Sequence, residues 1–300
     1  MNGPSLSYCK LCELADFRDP DLRALIRDMA TEDIGPEYPD GMEHRKPWEV
    51  AMTARALRDF GALREDAEIL GVGAGREATV FWLTRHVRRV FATDLYLMED
   101  SWSETDSGAQ MLVAPDRGVQ MDWNPRRLIV QHMDGRKLSY EDESFDGIFS
   151  SGSIEHFGTL DEIRESVEEM HRVLRPGGVA AIATEYRLAG PPPGMPGTVL
   201  FDERELRQVV LDGLDWELAS PLDLSSSDQT LTTVIDWDSL FETDMPKPSM
   251  LDKVKDLFGM EVNLPPPQIK QGPLIYPHVV LQKDEHMWTS VHVALIKPGS

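Results

Sequence analysis

The sequence predicts an α/β protein built on a doubly wound, mostly parallel sheet. Three observations carry that prediction. Between residues 68 and 184, short apolar runs alternate with segments of helical periodicity. The first run empties into a glycine turn, Gly71-Val72-Gly73-Ala74-Gly75-Arg76-Glu77. The second, Val90-Phe91-Ala92-Thr93, ends on a carboxylate, Asp94. In an open α/β sheet such turns lie at the carboxyl ends of the strands, where ligands bind.

In chain order, residues 1–65 read as a helical N-terminal cap segment. Asp21 to Met29 carries Leu22, Leu25, Ile26 and Met29 at helical spacing. Pro47 opens a second helix to about Phe60, whose Trp48, Val50, Met52, Ala56 and Leu57 make an amphipathic face suited to lie over the mouth of the next domain. Residues 66–220 read as the core, with strands at 68–72, 88–93, 127–132, 145–150 and 178–184 and helices at 76–86 and 160–174. In the last of these Leu160, Ile163, Val167, Met170, Val173 and Leu174 share one face, and Arg175-Pro176-Gly177-Gly178 stops it.

The connection between Asp94 and residue 127 is long for such a fold and holds Trp102, Met111, Met121 and Trp123. It reads either as an insertion packed on the core or as a wall of a substrate pocket. Gly190 to Gly197 is a proline-rich loop that fits neither helix nor central strand. Glu203–Leu211 then reads as helix and Trp216–Ala219 as strand. The proline-rich residues 221–287 are too long for a simple loop and read as a cap or lid insertion. Residues 288–300 hold the last core strand, where Val291, Val293 and Leu295 alternate with polar or small neighbours.

The chain has 300 residues, 41% hydrophobic, and a net charge of −22. That composition supplies a globular core, and no run is long enough to span a bilayer. The N-terminus shows no basic segment followed by an apolar stretch, so the expected location is the cytoplasm. The charge argues against a nucleic-acid partner, which requires a cationic surface, and nothing suggests membrane insertion. Cys9 and Cys12 form a lone CxxC; even with His44 as a third ligand they fall short of a structural zinc site, and they read as incidental thiols. No metal-binding cluster stands out.

The glycine turn followed by Asp94 describes a nucleoside pocket, since the glycines let backbone approach a ligand and the carboxylate can take two ribose hydroxyls. Four downstream features narrow it. The third strand ends in His132-Met133-Asp134-Gly135; Leu138 to Asp146 leads into the fourth; that strand ends in Ser150-Ser151-Gly152-Ser153-Ile154-Glu155-His156-Phe157; and Leu174 to Gly178 turns into the fifth. With these residues the chain resembles the class I S-adenosylmethionine-dependent methyltransferases over about residues 66–186.

That resemblance implies a Rossmann-like, seven-stranded, mostly parallel sheet with helices on both faces, whose antiparallel seventh strand fits residues 290–296. It implies S-adenosyl-L-methionine as cofactor. Gly71, Gly73, Ala74, Gly75 and Glu77 would wrap its methionine portion, Asp94 and Leu95 its ribose, and Met133, Asp134 and Gly135 its adenine. The backbone of Ser151 and Gly152 would pass under the sulfonium. The sequence departs from the family where an acid usually opens the turn, here Gly71, and where a glycine usually ends it, here Glu77. Glu77 either compensates for the missing carboxylate or caps its helix.

Methyl transfer from a sulfonium needs nucleophile, methyl and sulfur held in line, and a hydroxyl acceptor also needs a base. His156 is the expected base, with Glu155 orienting it or binding the acceptor; a Glu-His pair here also simply begins the next helix in many relatives. His278, His286 and Tyr276 are placed to face the same pocket, and His171 reads as solvated. Trp216, Trp237 and Trp288 suit a polar ring-shaped acceptor or fill a core. The expected activity is methylation of a small-molecule or glycan hydroxyl. The alternatives are nitrogen or alkene carbon, the latter because Gly152 to Gly158 is similar to fatty-acid cyclopropane synthases, a nicotinamide oxidoreductase, or a non-catalytic donor-binding protein.

Overall fold

The computed structural model describes residues 6–30, 35, 37–97, 107–117, 119–244, 268–271 and 275–299. Its strands are β1 (Lys10–Leu11), β2 (Glu68–Val72), β3 (Arg89–Asp94), β4 (Leu128–His132), β5 (Phe145–Ser151), β6 (Leu174–Ala189), β7 (Gly194–Met195), β8 (Thr198–Val199), β9 (Glu217–Leu218), β10 (Val234–Asp236), β11 (Phe241–Asp244), β12 (Gln268–Gln271), β13 (Val280–Lys283) and β14 (His286–Ile296). The helices are α1 (Pro20–Asp28), α2 (Arg45–Asp59), α3 (Ala78–Leu83), α4 (Ser107–Val113), α5 (Leu160–Val173), α6 (Glu203–Leu206) and α7 (Asp228–Leu231).

The α/β class expected from the alternation is what the chain adopts. One sheet runs β10-β13-β14-β6-β5-β2-β3-β4, with β1 and β9 also on β14. Strands β4, β3, β2, β5 and β6 are mutually parallel, and β14 closes the sheet antiparallel to β6. Seven strands were expected; the sheet has ten among the described residues. The added strands arise because β14 is far longer than its neighbours on the outer side. Its free edge is covered piecewise by β9 at Leu295–Ile296, β1 at Val291–His292 and β13 at Met287–Trp288, each satisfying backbone groups the others cannot reach.

Side chains alternate across the sheet as period-two geometry requires. Ile69, Val179, Ala181 and Ala294 join the core under α1, α2 and α3. Leu70, Val72, Ala180, Ile182, Val291 and Val293 join the core under α5 and α6. Helix α5 begins where Thr159 and Glu162 form a reciprocal capping box, an arrangement that contributes about 1 kcal/mol, and ends as Leu174 turns extended. Helix α6 continues into a π-helical turn over Arg207–Leu211.

Several expectations change. The N-terminal segment is not purely helical, because β1 joins the sheet. The expected cap, 221–287, adds β10 and β13 to the sheet edge through parallel and antiparallel pairing; residues 245–267 and 272–274 lie outside the described residues. The expected helix 76–86 is helical only over Ala78–Leu83, since Thr84 turns its hydroxyl onto the Phe81 carbonyl at 2.6 Å and the chain enters turns. In the long connection, Met111 and Met121 are buried in the core and Trp123 packs edge-on to Phe81 at 5.2 Å, so these three pack inward; Trp102 lies outside the described residues.

No helix among the described residues is long and apolar enough to cross a membrane. Cys9 and Cys12 are free and buried in the core, and burial pushes the Cys12 thiol up, which keeps it protonated.

Candidate active site at the carboxyl edge of the sheet

The turns after β2, β3, β4 and β5 all open at one edge of the sheet, and this is where the expected donor-binding residues collect. The Gly75 N–H donates to Asp94 Oδ2 at 2.8 Å, and the Leu95 N–H donates to Asp94 Oδ1 at 2.6 Å. Tyr96 closes the loop from the other side by donating its hydroxyl to the Gly75 carbonyl at 2.9 Å. The Met133 N–H donates to the Asp94 carbonyl at 2.9 Å, drawing the third turn against the second.

Two glycines fit the requirement for a bare backbone. Gly73 has φ +62°, and a Cβ there would lie 2.7 Å from Ser153 Cβ and 2.8 Å from Phe157 Cζ. Ser153 donates to the Gly73 carbonyl at 2.6 Å, tying the first turn to the fourth. Gly152 has φ +61°, and a Cβ there would meet Lys46 Nζ at 2.6 Å and Glu49 Oε2 at 3.1 Å. Both glycines let neighbouring residues pack where an L side chain would clash, and the turns so joined form a cradle at the sheet edge. Gly71 and Ala74 are buried beneath it, and Gly135 lies against Val72 and Phe157.

Asp134 stands at the expected place, but its carboxylate is already engaged. Arg136 donates to both oxygens, through Nε at 3.0 and 3.1 Å and Nη2 at 2.8 Å, and holds the Asp134 carboxyl below the usual carboxylate range. A carboxylate has about four acceptor positions, so capacity for a further donor remains.

Glu77 is the N-cap residue of α3, yet its side chain makes no capping bond. Thr79 donates to it at 3.3 Å, and burial, then the charges of Glu49 and Asp94, push its carboxyl well above the usual range. Three carboxylates therefore converge on the glycine turn, an environment that favours a cation.

Glu155 and His156, expected to work together, differ in exposure, although the charge of His156 acts on the Glu155 carboxyl. Glu155 is 1% exposed; Thr184 donates to its Oε2 at 2.8 Å, and burial raises its carboxyl above the ordinary value. His156 is exposed, with Nδ1 2.9 Å from the Gly197 carbonyl. A carbonyl only accepts, so Nδ1 donates to it. His156 lines a pocket of about 370 Å³ with Gly158 and the hairpin made by β7 and β8.

Sequence reasoning missed the ionic cluster that α2 lowers onto this edge. Arg45 is 4% exposed and donates to Glu185 at 2.6 and 2.7 Å, with Glu49 at 3.2 Å. Lys46 bridges Glu49 at 3.1 Å and Glu185 at 3.0 Å. Burial would raise Glu185, but Arg45 and Lys46 outweigh it and hold its carboxyl near about 2. Thr53, one turn further along α2, hydrogen-bonds Ser151 at 3.1 Å. A signal was present: Arg45, Glu49 and Thr53 recur every four residues, a polar stripe among the helix's buried residues.

Other expectations are corrected. His171 is not solvated; its Nε2 meets Asp215 at 2.5 Å and its ring packs edge-on to Trp216. Trp216 is buried with its Nε1 on the Val210 carbonyl at 3.0 Å, and Trp288 is buried against Trp237. These tryptophans fill cores. His278 stacks on His44 with centroids 4.0 Å apart, and His286 meets the Pro191 carbonyl at 3.2 Å.

Comparison with known proteins decides what this cradle holds. Residues 70–182, from the glycine turn to the middle of β6, match the methyltransferase domain family. Over those residues the chain carries a methyltransferase domain of the S-adenosylmethionine-dependent kind. No curated protein matches it significantly in sequence. Among solved structures, the YcgJ protein of Bacillus subtilis is similar at 14% identity, covering 83% of this chain and 98% of that one, with a TM-score of 0.45. A putative sarcosine dimethylglycine methyltransferase from Galdieria sulphuraria is similar at 13% identity over 83% of this chain and 85% of that one, with a TM-score of 0.48. The [4+2]-cyclase SpnF is similar at 16% identity over 93% and 94%, with a TM-score of 0.49. In this methyltransferase the cradle at Gly73 and Gly152 and the carboxylates of Asp94 and Glu77 suit a ligand that carries ribose hydroxyls and positive charge, as S-adenosylmethionine does.

Proposed function

We propose that this methyltransferase acts in the cytoplasm and moves a methyl group to a hydroxyl of a small molecule or glycan by in-line displacement, with His156 as general base. The carbon–sulfur bond breaks with its electron pair left on sulfur, the new bond forms to oxygen, and the hydroxyl proton passes to the base. The observation that supports the reading is the place of His156: it lies just past β5 with Nδ1 2.9 Å from the Gly197 carbonyl, and it lines a pocket of a size that suits a small acceptor. Trp216 and Trp288 are buried and Trp237 packs half-buried against Trp288, which leaves no shared aromatic platform for a sugar ring, so a compact hydroxylated molecule is preferred over a glycan. The charge of −22 supports neither nucleic acid nor an anionic membrane surface as partner.

A second reading makes Glu155 the base, and the observation favouring it is that Glu155 Oε1 is buried with no hydrogen-bond partner among the described residues. The test is a mass-gain screen of the purified protein with S-adenosylmethionine against pooled phenols, nucleotide sugars, oligosaccharides, amines and alkenes. Gain on hydroxylated compounds alone is expected; gain confined to amines or alkenes overturns the acceptor class. With the acceptor found, His156→Ala should lower kcat by about 10²–10⁴ while leaving S-adenosylhomocysteine affinity within about twofold. Unchanged turnover in that variant, with loss in Glu155→Gln, transfers the role to Glu155.

A further inference from the structure

The side of Gly152 that lacks a side chain is surrounded by polar atoms from two distant parts of the chain. Measured from the position a Cβ would take, Lys46 Nζ is 2.6 Å away, Glu49 Oε2 3.1 Å and Glu155 Oε1 3.7 Å. Lys46 gives hydrogen bonds to Glu49 and Glu185, which uses two of an ammonium's three donors. Its side chain is 41% exposed, so it is not sealed in the core. Glu155 is the opposite case. Thr184 satisfies Oε2, but Oε1 sits in a residue 1% exposed and has no hydrogen-bond partner among the described residues. A buried polar atom left unpaired costs on the order of 1–3 kcal/mol, and a native fold that carries one at a ligand edge has a reason to do so.

We propose that Lys46 and Glu155 form a hydroxyl-binding pair against Gly152, in which Lys46 donates to a hydroxyl oxygen of the acceptor other than the one methylated and Glu155 Oε1 accepts from that same hydroxyl. A hydroxyl is the small group that accepts and donates at one atom, whereas a thioether, an alkene or a methyl group satisfies neither partner. Arg45, Glu49 and Glu185 fix the pair: both Glu49 and Glu185 take hydrogen bonds from Arg45 as well as from Lys46, so the ammonium is oriented from two sides. The pair determines specificity. An acceptor lacking the hydroxyl leaves Glu155 Oε1 unpaired, and sites built around a polar partner reject such analogues strongly. This inference rests on the reading of the acceptor as a hydroxyl compound and adds which residues recognise it.

The test uses the whole protein saturated with S-adenosylhomocysteine, with phenol and cyclohexanol as probes, by titration and by soaking crystals of the complex. The expected result is a probe oxygen within hydrogen-bond distance of both Lys46 Nζ and Glu155 Oε1. In Lys46→Met the probe Kd should rise at least about tenfold, the cost of one charge-assisted hydrogen bond. Lys46→Arg, which keeps a donor and the charge facing Glu49 and Glu185, should recover part of it, with Tm near wild type. Glu155→Gln provides an independent variant that keeps the residue's size. Probes bound elsewhere, unbound, or bound equally well by Lys46→Met would overturn the pair. A socket that binds the probes in a protein that methylates no hydroxyl compound would count against the proposed function and leave the pair standing.

Discussion

His292 offers a quantitative test of how the interior of this protein tolerates protons. It lies on β14, is 0% exposed, and its Nδ1 is 2.6 Å from the Tyr8 carbonyl. Nδ1 must therefore donate, and Nε2 is buried with no partner among the described residues. Burial, the largest cause, lowers its pKa from 6.5 to about 4. The folded state thus takes up this proton less readily than the unfolded chain, so the stability His292 permits at neutral pH is lost as pH falls below 6.5, and the loss levels off near 4. At pH 5 the unfolded imidazole lies about 1.5 units below its pKa, and the folded one remains mostly neutral. The corresponding loss is about 2 kcal/mol at 1.36 kcal/mol per unit.

The perturbation is His292→Gln, which keeps a donor for the Tyr8 carbonyl but does not titrate. Urea-unfolding free energies at pH 7 and pH 5 should show wild type losing about 2 kcal/mol more than the variant over that interval. Using the difference removes the opposite contributions of Glu77 and Glu155, whose raised carboxyls add stability as pH falls. Equal losses in the two proteins would refute the reasoning.

Two further outcomes follow from the site. Gly73→Ala places a Cβ 2.7 Å from Ser153 at φ +62° and should weaken S-adenosylhomocysteine binding by at least about tenfold, or 1.4 kcal/mol, by calorimetry; an unchanged Kd would show that the turn does not touch the donor. Arg45→Met strips the charge facing Glu49 and Glu185 and should cost about 3–5 kcal/mol in chemical unfolding, because a buried carboxylate is left to Lys46 alone; a loss below about 1 kcal/mol would mean the cluster is more hydrated than its burial implies.

The parallel core was legible because each strand's apolar run and each turn's glycines are local signals. The donor cradle was legible for the same reason: Gly73, Gly75, Asp94, Asp134 and Gly152 each close a strand. What escaped was assembled from far apart. Arg45 and Glu185 meet across 140 residues, and nothing near Glu185 announces a partner on α2. Glu77 sits where a cap belongs, and only the side chain's direction shows that it does not cap. The three tryptophans are chemically suited to either a pocket or a core, a choice made by packing and not by residue type. The strands added to β14 were hidden because two- to four-residue strands carry no periodicity of their own.

The edge of β14 has a consequence for how the protein is made. Cys9, beside β1, bonds the carbonyl of Ala294 across 285 positions of sequence. During synthesis the N-terminal segment emerges first, and the strand that receives it is translated last among the described elements. Until then α2, with Arg45, Lys46 and Glu49, has β6 but no β14 to rest on. The parallel strands β2 to β5 can pair while the chain is still growing, but the polar edge of the active site is completed only after the final strand arrives. Loop-closure entropy over that distance makes this docking the slow step, so acquisition of activity should trail formation of the sheet.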